Sequence, residues 1–413
     1  MIRYISPLPQ PTRSAFPRRL AVLGSTGSIG VNALDVVARH SERFIVCALA
    51  GGRNMELLAE QTRRFSPAHV GVMDDACADW LLKLLPRPLP EIHIGQAGYA
   101  RIAALPEADF VLSAQVGAAG LRATVSAALS GKVICLANKE SLVLAGDLIR
   151  AVCGHTGACV LPVDSEHHAI FQAVQGRDPT TVKRLILTAS GGPFRNYTPE
   201  QLRMVGVKDA LRHPNWSMGM KITIDSATCM NKGLEIIEAH HLYGVGLDQI
   251  DVLVHPESVV HSLVEFTDAS CMAHLGTPDM RAAIAGCLAW PESLDAGVAP
   301  LDLARLGRLT FEAPDVQAFP CLNLARQALE LGGAAPAVLN AANEVAVELF
   351  LAEKLPFTGI PALISHCLTH YVALDLPTLD PAAEKSVQNM VDALLAINAH
   401  TRAAAREAAE RLQ

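Results

Sequence analysis

A short apolar run, Arg19-Leu20-Ala21-Val22-Leu23, leads directly into Gly24-Ser25-Thr26-Gly27-Ser28-Ile29-Gly30, and helical spacing follows from Asn32 to Arg39 through Leu34, Val37 and Ala38. Strand, glycine turn and helix in that order leave few folds open. Glycines let a backbone approach a pyrophosphate, and the amino end of the helix offers free N–H groups and a positive dipole. The spacing is G-x-x-G-x-x-G rather than G-x-G-x-x-G, so a packing turn in another α/β protein is the alternative, while a serine elbow of G-x-S-x-G type is excluded. The pattern then repeats. Strands are expected at 44–50, 68–73, 110–114 and 132–137, with a helix at 121–129. Such alternation predicts a largely parallel, doubly wound sheet.

The second strand ends in Gly51-Gly52-Arg53-Asn54. An enzyme using NAD keeps an acid here for the ribose hydroxyls; Arg53 is instead suited to a 2′-phosphate, which points to NADP(H), with a solvated loop arginine as the alternative. Val116-Gly117-Ala118-Ala119-Gly120 is a small-residue turn along which a flat cofactor can lie. Asn138-Lys139-Glu140-Ser141 follows the next strand; it reads as a helix start, with Lys139 also placed to pair with a phosphate or enolate.

The run 158–163 is another buried strand, and it delivers Asp164 and Glu166 at its carboxyl end, the ligand-binding edge of an α/β sheet. Two acids so close need a cation or a raised pKa to coexist. Further on, Ser190-Gly191-Gly192 resembles an anion nest or a flexible strand exit. His213 to Met220, carrying Trp216 and two methionines between Pro214 and Gly219, reads as a lid or as a loop folded onto the core. Lys221 to Asp225 alternates like a strand. Ser226, Asn231 and Lys232 then offer donors of different reach around one turn, a set suited to a phosphate. Glu235 and Glu238 flank apolar residues on the next helix, so one of them is expected to face inward and to need a partner. Joined to Asp164 and Glu166, it would complete a three-carboxylate site for Mg²⁺ or Mn²⁺, with Co²⁺ also admissible. His255 and His261 read as core histidines or site residues.

With 413 residues, two or three domains are expected. The formal charge of −7 without a basic block argues against nucleic acid or an anionic membrane as partner, and no apolar run suits a spanning helix. Ten scattered cysteines without a CxxC pair suggest buried, reduced thiols and a cytoplasmic protein. The expected division is a disordered leader (1–17), a nucleotide domain (18–163), a catalytic domain (164–289) with a mobile lid at 213–220, a proline-rich linker (290–315) and a helical domain (316–413). In the last of these, Asn340, Asn343 and Glu344 are expected to pack or cap, and the end after Ala399 has no evident role.

Taken together, these stretches closely resemble the 1-deoxy-D-xylulose 5-phosphate reductoisomerase family from Arg19 to about Asn398. The resemblance rests on GSTGSIG (24–30), VGAAGL (116–121), ANKESLV (137–143), PVDSEH (162–167), SGGPF (190–194), HPNWSMG (213–219), Asp225 to Glu235, HPESVVHS (255–262), LGTPDMR (275–281) and NAANEVAV (340–347). It implies a V-shaped homodimer with a Rossmann-like domain, an α+β catalytic domain and a helical bundle. It implies NADPH at Thr26, Gly27, Ser28, Ile29, Gly52, Arg53, Asn54, Asn138, Glu140 and Gly219, and one divalent cation at Asp164, Glu166 and Glu235. It also implies phosphate at Ser190, Ser226, Asn231 and Lys232, with Lys139, Ser165, Glu166, Glu235, His213 and Trp216 around the substrate. Lys139, Asp164, Glu166, His213 and Glu235 would be catalytic, and His261 is a further position linked with activity. The expected reaction is a metal-assisted retro-aldol and aldol rearrangement of a phosphorylated deoxyketose, followed by hydride transfer to the aldehyde. Its rivals are a plain NADP-dependent dehydrogenase and a non-catalytic NADPH sensor. Cys229, Met220 and His274 depart from the family's usual residues, which bears on lid dynamics and local packing.

Overall fold

A computed structural model describes residues 5, 15–212, 216, 218–372 and 375–411. Seven strands form one parallel sheet: β1 (Arg18–Leu23), β2 (Phe44–Ala50), β3 (His69–Val72), β4 (Glu91–Ile94), β5 (Phe110–Ser113), β6 (Val133–Leu136) and β7 (Cys159–Pro162). Their order is β4-β3-β2-β1-β5-β6-β7, so the chain reverses direction between β1 and β5, where an open α/β sheet forms its crevice. The doubly wound expectation holds. β4 was not expected, because Glu-Ile-His-Ile places two polar side chains on an edge strand that covers only one apolar layer.

A second sheet, ordered β11-β10-β8-β9, is built from β8 (Val182–Ala189), β9 (Ile250–Val254), β10 (Val260–Phe266) and β11 (Cys271–Leu275). β8 and β9 run parallel, while β10 pairs antiparallel with both β8 and β11. The last part is helical, with helices Cys321–Leu331, Ala335–Leu351, Gly359–Thr369 and Glu384–Arg411. Among the described residues no helix is long and apolar enough to cross a membrane.

Two expectations are corrected. Residues 221–225 are not a strand but lie in the helix Met220–Ala227. The β-branched alternation of Ile222, Thr223 and Ile224 misleads there, because Lys221 and Asp225 pair across one helical turn at 2.7 Å and Thr223 bonds back to Gly219 O. The leader lies mostly outside the described residues, yet Ile5 is buried, donating to Leu242 O at 3.0 Å and accepting from Val160 N at 2.9 Å. At least this residue is anchored to the edge of β7.

The linker is tied at both ends. Buried Arg18 donates to Leu288 O and, at 2.7 Å, to Trp290 O, and Arg43 pairs with Glu292 at 2.8 Å. Farther along, Thr310 O meets His255 Nδ1 at 2.8 Å and Glu312 bridges to Val254. None of the ten cysteines is in a disulfide, and eight are buried.

Candidate active site

Gly24 sits at φ +84°, and a Cβ placed on it would lie 2.4 Å from Ala114 O, so the glycine turn packs directly on the end of β5. Helix Ser28–Arg39 begins inside that turn and points its amino end at the crevice. Across the crevice, Asn138 spends its side chain on the facing loop, donating to Gln115 O at 2.5 Å and Gly117 O at 3.0 Å. A Cβ on Gly120 would come within 2.9 Å of Asn138 Oδ1, so a small residue is required there. Asn138 therefore shapes the wall of the crevice. Glu140 accepts from Asn138 at 3.3 Å and pairs with Lys221 at 3.5 Å. At the end of β2, Arg53 is exposed, with Asp74 as a charged neighbour, while Asn54 caps the helix Met55–Phe65 by accepting from Leu57 N at 3.1 Å.

The carboxylates come from one helix start and one helix face. Asp164 is the N-cap of helix Ser165–Ala173 and accepts from Glu166 N at 3.2 Å, so both acids sit where the helix dipole favours negative charge. Glu235 reaches them from helix Met230–Tyr243 and is fully buried. Two ammonium groups bind the three acids together. Lys139 Nζ donates to Asp164 Oδ2 at 2.5 Å, Asn231 Oδ1 at 3.0 Å and Glu235 Oε1 at 3.2 Å. Lys232 Nζ donates to Glu166 Oε1 at 2.8 Å and to Glu235 Oε2. Asn231 also donates to Glu235 Oε1 at 2.6 Å, and Ser165 Oγ donates to Glu166 Oε2 at 2.5 Å.

Burial works to raise the Asp164 carboxyl, but Lys139, His167 and Lys232 outweigh it and hold it well below the usual range. Glu166 shifts the other way: burial and the charge of Glu235 raise it, against the pull of Lys232. For both lysines burial opposes the charge, yet the surrounding carboxylates raise them above the ordinary ammonium value. Glu238 was not expected to be buried together with Glu235, yet both are. Its partner is His167, whose Nε2 lies 3.1 Å from Glu238 Oε2 behind the site. His167 also lies close enough to Asp164 and Glu235 for ligand atoms of all three to fall within 4.8 Å of one another. Glu166 lines the cavity whereas His167 does not, so the all-oxygen set is the one open to a ligand.

Gly191 and Gly192 lie at φ +80° and +66°, and a Cβ on Gly192 would meet Ser226 O at 2.9 Å. This close approach brings Ser190 and Ser226 to one wall, beside Asn231 and Lys232. Trp216 covers the opposite side, its ring 6.4 Å from that of buried His261. The departing residue His274 stands behind His261 at 5.7 Å, and Met220 is exposed at the cavity rim. His213 lies outside the described residues, as do Pro214, Asn215 and Ser217. One cavity of about 600 Å³ joins these parts: Gly27, Ser28 and Ile29, then Lys139 and Glu140, the three carboxylates, Ser190, Ser226 and Trp216.

Residues 20–146 match the family described as 1-deoxy-D-xylulose 5-phosphate reductoisomerase, 160–243 match the C-terminal domain of that enzyme, and 275–404 match the DXP reductoisomerase C-terminal domain. The chain belongs to the 1-deoxy-D-xylulose 5-phosphate reductoisomerase family. It is 61% identical over 395 residues to the reductoisomerase of Nitratidesulfovibrio vulgaris (strain DP4), covering 94% of this chain and 97% of that one. It is 57% identical over 401 residues to that of Oleidesulfovibrio alaskensis, covering 97% of each. Among solved structures, DOX-P reductoisomerase in complex with NADPH, fosmidomycin and magnesium superposes with a TM-score of 0.89 at 44% identity, over 96% of this chain and 99% of that one. The Zymomonas mobilis reductoisomerase in complex with NADPH gives 0.87 at 41% identity, over 95% and 99%.

Proposed function

We propose that this chain rearranges and reduces 1-deoxy-D-xylulose 5-phosphate to 2-C-methyl-D-erythritol 4-phosphate in the non-mevalonate isoprenoid pathway, using NADPH and a divalent cation. The observation that carries the reading is the single cavity that runs from the glycine turn to the three carboxylates and on to the Ser190–Ser226 wall. The residues fit both groups. Three acids against two ammoniums leave a negative excess of hard oxygen donors, which suits Mg²⁺ or Mn²⁺. The N–H groups of the glycine turn and exposed Arg53 suit a phosphorylated dinucleotide.

Asp164, Glu166 and Glu235 would hold the cation, which supplies Lewis acidity toward substrate oxygens, while NADPH supplies the hydride. Thr26, Gly27, Ser28, Ile29, Gly52, Arg53, Asn54 and Gly219 would line the cofactor, with Asn138 and Glu140 fixing the loop opposite. Lys139 and Ser165 donate at the reacting end, where Lys139 stays charged and offsets developing negative charge on oxygen. Ser190, Ser226, Asn231 and Lys232 would hold the phosphate, so that binding away from the reacting carbons anchors them. Trp216 closes the cavity against water, and His213 joins it on the strength of the family resemblance. Assembly as a homodimer is supported by the edge strand β11, which leaves Cys271, Met272 and Leu275 exposed. A cytoplasmic location is supported by ten cysteines held as thiols rather than disulfides.

The test is NADPH consumption with the ketose phosphate, with and without a chelator. Turnover that the chelator abolishes supports the reading. Reduction of the synthetic aldehyde intermediate without turnover of the ketose would make the chain a plain dehydrogenase, and no oxidation of NADPH with either would make it a sensor.

A further inference from the structure

Far from the catalytic cavity, the free edge of the parallel sheet gathers two imidazoles and two carboxylates. β3 and β4 pair in parallel with His69 opposite Glu91 and Gly71 opposite His93, so the three side chains lie on one face. His69 Nδ1 lies 3.1 Å from His93 Nε2 and 3.3 Å from Glu91 Oε2, and His93 Nε2 lies 3.6 Å from Glu91 Oε1. A tetrahedral zinc ion with bonds of roughly 2.0–2.1 Å holds its ligands about 3.3 Å apart. The two edges at His69 Nδ1 lie close to that spacing, and His93 Nε2 faces the other Glu91 oxygen, so both carboxylate oxygens border the site.

The outer contacts point the same way. His69 Nε2 lies 2.7 Å from Glu107 Oε1, in the turn between helix Gly95–Ala103 and β5. A carboxylate accepts here, so Nε2 carries the proton and Nδ1 turns a lone pair toward His93 and Glu91; this tautomer is assigned from the partners. Glu91 Oε2 then faces a lone pair with no proton between them, an arrangement that a cation relieves. A carboxylate behind a ligating histidine is the usual support of such an ion.

We propose that His69, His93 and Glu91 form a second metal site, selective for a borderline divalent transition ion such as Zn²⁺, with Glu107 orienting His69. Two imidazoles disfavour Mg²⁺ and separate this site chemically from the all-oxygen catalytic set. None of the four residues lines the catalytic cavity. Its role is to pin the edge strand β4 and the turn bearing Glu107 to β3, a structural role without part in turnover.

The experiment is equilibrium dialysis of the chelator-stripped full-length protein against Zn²⁺, with Co²⁺ substitution as a spectroscopic check. The wild type should hold one more Zn²⁺ per chain than Glu91→Gln or His93→Gln. Glu107→Gln should keep the stoichiometry and lose about 10- to 100-fold in affinity. Co²⁺ should give the intense visible bands of a tetrahedral nitrogen-ligated ion in the wild type but not in Glu91→Gln. Glu91 is 65% exposed, so that variant tests the site even if His93→Gln folds poorly. Its Mg²⁺-dependent turnover should equal that of the wild type. Equal zinc stoichiometry and affinity in the wild type and Glu91→Gln would overturn the proposal. It would leave His69 bridging Glu91 and Glu107 without an ion and assign any zinc to another pair such as His366 and His370, whose rings lie 4.1 Å apart.

Discussion

Lys232→Met keeps most of the side-chain volume and removes the ammonium that links Glu166 Oε1, at 2.8 Å, to Glu235 Oε2. Breaking a fully buried ion pair costs about 3–5 kcal/mol, because it strands the remaining charge. The cost here should be smaller. Lys139 and Asn231 still hold Glu235 Oε1, Ser165 still donates to Glu166, and the raised Glu166 carboxyl can take up a proton. We expect about 2–3 kcal/mol in the presence of a chelator, read as a melting temperature lower by roughly 4 °C in a chain of this size. Mg²⁺ should narrow that gap. In the wild type the ion competes with the ammonium for two carboxylate oxygens; in the variant it does not. Relief of that competition by about 1.4 kcal/mol would lower the Mg²⁺ midpoint roughly tenfold in a thermal-shift titration without substrate. Turnover should fall in the same variant, because the cation assigned to the phosphate is gone. If Mg²⁺ bound the variant no more tightly than the wild type, the lysine would not be standing in for the ion and the reasoning would be refuted.

Other perturbations test separate parts of the molecule. Glu166→Gln should abolish turnover while changing NADPH affinity, followed by fluorescence titration, by less than about threefold; a variant that keeps most of its activity would overturn the assignment of this residue. Gly146→Ala should destabilise by about 1–3 kcal/mol in a denaturant melt, because the added Cβ would fall 2.1 Å from the buried ring of His241. His241 itself is pushed down to about 3, chiefly by burial and then by His240 and Arg150. Its folded value lies below its unfolded one, so its contribution is complete above about pH 6.5 and is lost as the pH falls toward 3. His241→Met should therefore flatten the acid limb of a stability–pH curve by up to about 1 kcal/mol per pH unit, whatever it does to stability at pH 8. Asn343→Leu should cost about 1–3 kcal/mol by removing the 2.8 Å bond to buried Asp225, visible as a lower denaturation midpoint.

Much of this arrangement could be read from the residues, and the exceptions have physical causes. The parallel sheet was legible because strands buried on both faces appear as unbroken apolar runs, and Leu20–Leu23, Val133–Leu136 and Cys159–Pro162 all do. Asp164, Glu166 and Glu235 were legible as partners because acids beside apolar residues need compensation. Their compensation was not legible. That Lys139 and Lys232 neutralise these acids depends on residues 96 and 66 positions apart in the chain meeting at one point, which no local pattern encodes. β10 and β11 were missed for a related reason: β11 is an exposed edge whose composition resembles a loop. The helix Met220–Ala227 was misread as a strand because the i,i+4 pair Lys221–Asp225 and the tertiary contact of buried Asp225 with Asn343 override the β preference of Ile222, Thr223 and Ile224.

The C-terminal helices illustrate the limit most clearly, since Asn340, Asn343 and Glu344 read as packing or capping residues. In the fold Asn343 joins a chain of polar contacts beside the cavity, and Asn340 donates to Glu344 at 3.0 Å. Asn343 donates to Asp225 at 2.8 Å, Asp225 pairs with Lys221 at 2.7 Å, and Lys221 reaches Glu140 at 3.5 Å. Glu140 accepts from Asn138 at 3.3 Å, Asn138 holds Gly117 O at 3.0 Å, and Glu344 lies 3.1 Å from the position a Cβ on Gly117 would occupy. Arg402, in the stretch that had no evident role, pairs with Glu344. Each link joins a different segment: the C-terminal bundle, the helix after Trp216, the helix after β6 and the loop after β5. A buried network of this kind tolerates no half-measures, because every unpaired member keeps its desolvation cost. Displacing the helix Met220–Ala227 therefore strains the cofactor loop and the bundle together. Among the described residues the C-terminal helices reach the cavity lining at Leu351, so their hold on Asp225 couples them to the helix that follows Trp216.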